Sequence, residues 1–278
     1  MTVLRSVLYM PSSNERALEK AKTIAADAII FDLEDAVAPD AKEAGRANAV
    51  AAIQSGEYGG KTLTIRCNGL DTPWGAADLA AATAARPAAI VIPKVSGTAH
   101  LADVIAITGD VPIWAMVETP TALFDIRAIC SVPQVSVLVM GTNDLVKELR
   151  ASIVPGRGPL LPHLATALCG AREAGKTILD GVYNDVKDED GFRAECQQGK
   201  EMGFDGKTLI HPLQVPVANE VWAPTDAEVE HARRVIAAFS EASLDGRGVV
   251  TVDGRMVENL HRDIALRVLE TANQISAL

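Results

Sequence analysis

Residues Ala28–Asp35 read AIIFDLED: four consecutive apolar residues, then an acid, a leucine and two more acids. A run that is apolar at every position suits a strand buried on both faces, as in a parallel sheet covered by helices. The acids mark where that strand meets solvent. The same shape recurs along the chain. Before it lies Ser6–Met10; after it come Leu63–Cys67, Ala89–Pro93, Ile113–Val117, Val135–Met140, Thr177–Gly181 and Lys207–Ile210. Helical patterns fill gaps between these runs. They cover Asn14–Ala26, Pro39–Gln54 with its leading proline, Thr119 to about Ile129, Leu160–Ala174 stopping at Gly175, and Asp188–Met202 stopping at Gly203. Eight strands with intervening helices over about 210 residues predict a (β/α)8 barrel, a TIM barrel, in the α/β class. An open doubly wound sheet is the runner-up.

Past Ile210 the rhythm changes. Pro212 and Pro216 interrupt it, and Thr225 with Glu228 forms a capping box for a helix running to about Ser243. The Asp-Gly pairs of Asp245-Gly246-Arg247 and Asp253-Gly254-Arg255 are turn signals for a small hairpin. A last helix is expected over Val257–Thr271. The predicted division is a barrel over residues 1–220 and a C-terminal hairpin-and-helix extension over 221–278.

Composition narrows the function. The 278 residues are 48% hydrophobic and 22% charged, which excludes an intrinsically disordered chain. A formal charge of -10 repels a phosphate backbone, so no nucleic-acid role is expected. No apolar stretch approaches the roughly 20 residues of a membrane span. Cys67, Cys130, Cys169 and Cys196 form neither close pairs nor metal spacings, and are read as thiols of a reducing compartment. The N-terminus lacks the pattern of a secretory signal, so a cytoplasmic protein is expected.

In a (β/α)8 barrel the chemistry sits at the carboxyl ends of the strands. Those ends are polar here: Asp32, Glu34 and Asp35 after the second strand, Arg66 and Asn68 after the third, and Lys94 after the fourth. Glu118 follows the fifth strand, Gly141-Thr142-Asn143-Asp144 the sixth, and Asp180 the seventh. Glu118 and Asp144, on neighbouring strand ends, suit a hard divalent cation, Mg2+ or Mn2+. The five dispersed histidines argue against zinc. A glycosidase acid–base pair is the competing use of two carboxylates, but an aromatic content of 4% offers little to stack a sugar. Arg66 is an anion anchor, able to hold a carboxylate bidentately, or else a partner for the acids of the second strand. Lys94 has a Schiff-base reading and an ion-pair reading. No GxGxxG or GxxxxGK[ST] loop is present.

These motifs together resemble the citrate lyase β-subunit-like group of the HpcH/HpaI aldolase superfamily, which includes malyl-CoA, β-methylmalyl-CoA and citramalyl-CoA lyases. The matching pieces are RSVLYMPSSNERALEKA (Arg5–Ala21), IIFDLEDAVAP (Ile29–Pro39), IRCN (Ile65–Asn68), IVIPK (Ile90–Lys94) and AMVETP (Ala115–Pro120). VLVMGTNDL (Val137–Leu145), GFDGKTLIHPLQV (Gly203–Val215) and TVDGRMVEN (Thr251–Asn259) also match.

The resemblance implies an Mg2+-dependent carbon–carbon lyase acting on a 3-hydroxy-dicarboxylic acyl-CoA, with acetyl-CoA or propionyl-CoA and glyoxylate or pyruvate as products. Its alternatives are citryl-thioester cleavage as a citrate lyase β subunit, which needs an acyl carrier protein, and malyl-CoA hydrolysis. A non-catalytic assembly subunit is the reading of another class. Glu118 and Asp144 are implied as metal ligands, and Arg66 as the residue meeting the thioester carbonyl. Asp32, Glu34 and Asp35 are the acidic loop ordering Arg66. Asn68, Lys94, Gly141, Thr142 and Asn143, with Arg66 and Glu118, are expected around the substrate. The resemblance also implies a homotrimer or homohexamer whose extension reaches a neighbouring subunit and offers a catalytic acid/base. The position that is often aspartate in relatives is Glu258 here. Ser12 replaces a common glycine, and Asn143 a common glutamate.

Overall fold

A computed structural model describes residues 3–243 and 249–277. Eight parallel strands close into a barrel: β1 (Ser6–Pro11), β2 (Ala28–Asp32), β3 (Thr62–Arg66), β4 (Ala89–Ile92), β5 (Ile113–Val117), β6 (Val135–Met140), β7 (Thr177–Asp180) and β8 (Gly206–Leu209). Each strand pairs with the next, and β8 returns to β1 through Val7 opposite Thr208. That closure rules out the open sheet and confirms the (β/α)8 barrel.

Side chains alternate along each strand, and the alternation sorts the barrel. One set fills the interior: Val7, Ala28, Ile30, Ala89, Val91, Trp114, Met116, Val137, Val139 and Leu179, with Tyr9 packed on it. The next step of this inward set is polar. Ile30 is followed two residues on by Asp32, and Met116 by Glu118. Thr64, in register with Ile30, is followed by Arg66. The site is therefore the top layer of the barrel's own packing pattern.

The helices around the barrel are α1 (Glu15–Ala21), α2 (Lys42–Ser55), α3 (Gly75–Ala85), α4 (Thr98–Thr108), α5 (Pro120–Phe124) and α6 (Ile126–Ser131). They continue with α7 (Thr142–Leu149), α8 (Leu161–Glu173), α9 (Glu189–Met202) and α10 (Gln214–Trp222). Thr119 caps α5 as expected, its Oγ1 accepting from Ala122 N–H at 3.1 Å. The first helix is shorter than its pattern: Asn14 caps it and it stops at Ala21. The alanine-rich α3 and α4 have too little polar contrast to read as amphipathic. The Gly-Thr-Asn-Asp stretch, read as a strand end, opens α7 directly.

The chain forms two compact units, Leu4–Asn219 and one comprising residues 220–277 with Val3. In the second, Thr225 and Glu228 form the capping box of α11 (Asp226–Ser243): Thr225 N–H donates to Glu228 Oε2 at 2.7 Å and Glu228 N–H to Thr225 Oγ1 at 3.2 Å. β9 (Val249–Val252) and β10 (Arg255–Glu258) form an antiparallel hairpin. Its turn residues Asp253 and Gly254 have φ of 51° and 75°, the geometry that favours Asp-Gly. The other Asp-Gly-Arg triplet lies outside the described residues. α12 (Asn259–Ser276) outlasts the expected helix, and Ala232, Val235, Phe239, Val252, Val257 and Ala265 make this unit's own core. Among the described residues, no helix is long and apolar enough to cross a membrane. All four cysteines are free; Cys67, Cys130 and Cys196 are buried and Cys169 is exposed.

Candidate active site

The strand ends converge on a cavity of about 280 Å3. Asp32, Asp35, Arg66, Glu118, Gly141, Thr142, Asn143 and Asp144 line it, together with Tyr9, Met116, Met140, Val182 and Ile210.

Arg66 is its best-held member. Asp32 and Arg66 are register partners on β2 and β3, so the pair forms across one rung. Nε and Nη2 of Arg66 donate to the two Asp32 oxygens, both at 2.7 Å. Asp32 also accepts the backbone N–H groups of Glu34 and Ala36 at 2.9 and 3.1 Å. Nη1 faces Glu34 at 2.9 Å and Asp35 at 3.5 Å, and the guanidinium lies 4.8 Å from the Tyr9 ring centre. Burial works against the arginine's charge, but Asp32 and Glu34 outweigh it and hold the proton firmly. Burial also pushes the Glu34 carboxyl up. Asp35 is 66% exposed and the most distant of the three acids, so it is the partner that yields Nη1 most easily.

Glu118 is 1% exposed. Its Oε1 accepts the Lys94 backbone N–H at 2.6 Å. Burial, with Glu34 nearby, pushes its carboxyl up to about 7. Gly141 makes room for it: a Cβ there would collide with Oε2 and Cβ of Glu118. Asp144 lies in the first turn of α7, where the helix dipole favours an anion. Among the described residues, no donor reaches Glu118 Oε2 or the Asp144 carboxylate.

These are hard oxygen donors on one cavity, one of them destabilised as an anion by burial. The set fits a divalent cation such as Mg2+. No group of three or more His, Cys, Asp or Glu arranged for a metal occurs among the described residues. Two carboxylates still suit Mg2+, which commonly takes only one or two and leaves other positions to substrate and water oxygens.

Other expected residues fall elsewhere. Asn68 does not line the cavity. Its Nδ2 donates to Leu33 O at 2.9 Å and to Asp78 at 2.6 Å, and its Oδ1 accepts from Lys42 at 2.8 Å. Its polar atoms are committed to the framework. Lys94 serves Glu118 through its backbone; its side chain is 55% exposed and pairs with Glu34 at 3.2 Å. Glu258 belongs to the C-terminal unit, ending β10, where its N–H donates to His261 Nδ1 at 3.0 Å. Asp180 falls on the opposite strand parity. It pairs with Arg157 at 2.7 Å and Lys207 at 3.0 Å, both buried, outside the cavity lining.

Lys42 was missed. Its Nζ donates to Leu33 O and Glu34 O, both at 2.7 Å, and lies 5.1 Å from the Trp74 ring centre. It therefore clamps the backbone of the acidic loop. The signal was available: Lys42, Gly45, Ala49 and Ala52 form the buried stripe of α2, and a lysine on such a stripe needs acceptors. Lys42→Met is expected to leave these carbonyls unpaired. It should destabilise the protein by about 2–3 kcal/mol in urea unfolding and lower kcat more than it raises KM. Unchanged stability and turnover would show that the clamp is idle.

A parallel barrel with buried acids and an arginine at its carboxyl rim defines an α/β-barrel protein with a polar cavity that can take an anionic, oxygen-bearing ligand. The comparisons with known proteins give the family. The HpcH/HpaI aldolase/citrate lyase profile matches residues 5–212, and a profile for a C–C bond lyase of the TIM-barrel fold matches residues 158–276. The chain belongs to the HpcH/HpaI aldolase/citrate lyase family and is an enzyme of the lyase/thioesterase type. It is 52% identical to the (3S)-malyl-CoA thioesterase of Cereibacter sphaeroides over 98% of this chain and 96% of that one. It is 32% identical to the citrate lyase subunit beta of Leuconostoc mesenteroides subsp. cremoris, covering 97% and 93%. The crystal structure of CitE from Mycobacterium tuberculosis with magnesium, acetoacetate and coenzyme A matches with a TM-score of 0.79 at 28% identity, covering 96% and 97%.

Proposed function

We propose that the enzyme hydrolyses the thioester of a 3-hydroxy-dicarboxylic acyl-CoA, with malyl-CoA the first candidate, to the free diacid and CoA. The observation that carries this reading is the 52% identity to a (3S)-malyl-CoA thioesterase across nearly the whole of both chains. It favours hydrolysis over the carbon–carbon cleavage expected from the motifs.

The cavity suits the reaction. Glu118 and Asp144 would hold a divalent cation, which would supply positive charge for the substrate's carboxylate and hydroxyl oxygens. Arg66 presents Nη1 to the thioester carbonyl oxygen and stabilises the negative charge that grows there as water adds. Asp32 fixes the plane of that guanidinium with two bonds, so the donor is aimed before the substrate arrives. Glu34 balances the buried charge, and Asp35 gives way to the substrate. Thr142 and Asn143 bound the acyl group. The proton of the attacking water goes to a carboxylate, assigned to Glu258 of a C-terminal unit in a homotrimer or homohexamer. The C–S bond then breaks, and the leaving sulfur takes the proton back from Glu258 to depart as CoA thiol.

Carbon–carbon cleavage of the same thioester is the second reading, supported by the match to the C–C bond lyase profile. One experiment separates them. Purified enzyme with malyl-CoA and Mg2+ is expected to release free CoA and malate, and to stop on chelation of the metal. Acetyl-CoA and glyoxylate in place of these products would overturn hydrolysis in favour of the lyase.

A further inference from the structure

A larger cavity, about 590 Å3, adjoins the carboxylate site. Thr142, Asn143 and Val182 line both cavities. Beyond them the larger cavity runs past Val146, Ile153, Pro155 and Leu160 towards Ala194 on α9. Its volume lies in the range of small-molecule sites.

The chemistry of its walls is decided by how their polar groups are used. Asn143 and Asn184 bind each other reciprocally, at 3.1 and 2.8 Å, on the border between the cavities. Tyr183 donates its hydroxyl to Asp188 at 2.6 Å. Gln198 donates to Gly156 O at 3.0 Å and accepts from Arg157 at 2.9 Å. Arg157 is neutralised by Asp180, and its Nη2 is sealed from solvent, out of a ligand's reach. Glu195 is paired with Lys207 at 2.8 Å. Asp185 and Asp188 make the surroundings acidic, which opposes a phosphate-bearing arm. An amide-rich arm would find few free donors or acceptors. What remains is apolar wall, and the occupant it fits is hydrocarbon.

Building on the hydrolase reading above, we propose that this cavity holds an alkyl branch of the acyl group, on the carbon beside the thioester carbonyl. The substrate class then extends past malyl and methylmalyl thioesters to malyl thioesters carrying longer alkyl chains. A head group held by Arg66 and the acids of the smaller cavity points such a branch across Val182 into the larger one. Each added methylene that leaves water should raise apparent affinity by about fourfold until the cavity is filled.

The test is a series of malyl-CoA thioesters bearing hydrogen, methyl, ethyl or butyl at that carbon. Two filling variants accompany it, Ala194→Phe and Ser152→Trp, both at exposed positions outside the smaller cavity. The wild-type enzyme is expected to keep or raise kcat/KM through butyl. Each variant should cut the butyl thioester at least tenfold while changing malyl-CoA less than twofold. Rejection of every branch beyond methyl by the wild type would overturn the proposal. So would an equal rise in KM for all four thioesters in the variants, which would place the common carrier arm in the cavity. If no thioester turns over, the hydrolase reading has failed, and calorimetry with malate and butylmalate reads the cavity separately. Tighter binding of butylmalate that Ala194→Phe removes supports the pocket; equal affinities overturn it.

Discussion

Glu118→Gln is expected to give a folded protein that has lost thioester turnover by at least about a hundredfold at saturating Mg2+. The amide keeps the shape that fits beside Gly141, and its oxygen still accepts the Lys94 N–H. It removes only the charge. In metal-free protein that charge is a burden, because burial has pushed the carboxyl up to about 7. An acid whose pKa rises on folding costs stability once the solution is basic enough to ionise it. The variant should therefore melt at the same temperature as metal-free wild type or higher. Gained stability with lost activity is the signature of a side chain retained for its chemistry. Thermal melts and turnover measured on one preparation read both. Full activity in the variant would sink the assignment of Glu118 to the cation.

Asp180→Ala should produce the opposite pattern. Lys207 is 0% exposed, and Arg157 is 6% exposed. Burial alone would raise the Asp180 pKa, but Lys207 and Arg157 outweigh it and hold the carboxyl below its usual range. Removing the carboxylate leaves two buried cations with Glu195 as their remaining acid. Such a loss typically costs about 3–5 kcal/mol, readable in urea unfolding. The pH dependence follows in sign. A carboxyl with a depressed folded pKa contributes stability that is present above the unfolded value, about 3.9, and disappears as the pH falls through the folded value. Wild type should thus lose stability progressively below about pH 4. Asp180→Asn, less stable at neutral pH, should show a flatter acid limb. A variant as stable and as acid-sensitive as wild type would remove the network's claimed role.

Much of the barrel and of its rim was legible because both obey local rules. Strands apolar on both faces announce a covered parallel sheet, and a strand that turns polar at its end announces the rim. What stayed hidden depends on direction and not on position. Asp180 and Glu118 both end strands, yet one points among helices and the other into the barrel, since their parities differ. Asn68 looks like a site residue by place, but Asp78 on α3 and Lys42 on α2 claim its amide. Lys42 sits on the buried stripe of α2, which says that it needs acceptors but not which carbonyls supply them. Glu258 is set in a separate unit, so no strand pattern carries information about what it meets.

The rung shared by Asp32 and Arg66 has a consequence for how the barrel aligns itself. Side chains alternate along a strand, so a slip of one residue between β2 and β3 would turn the guanidinium outward among the helices. Cys67, neutral and short, would take its place opposite the carboxylate. Neighbouring apolar residues tolerate such a shift poorly but not uniquely; a buried ion pair rejects it outright. The pair that aims a donor at the substrate also works as an index pin for the two strands. Charge-removing changes at either residue should therefore blur the alignment of the sheet as well as the chemistry, and separating the two effects requires replacing both residues together.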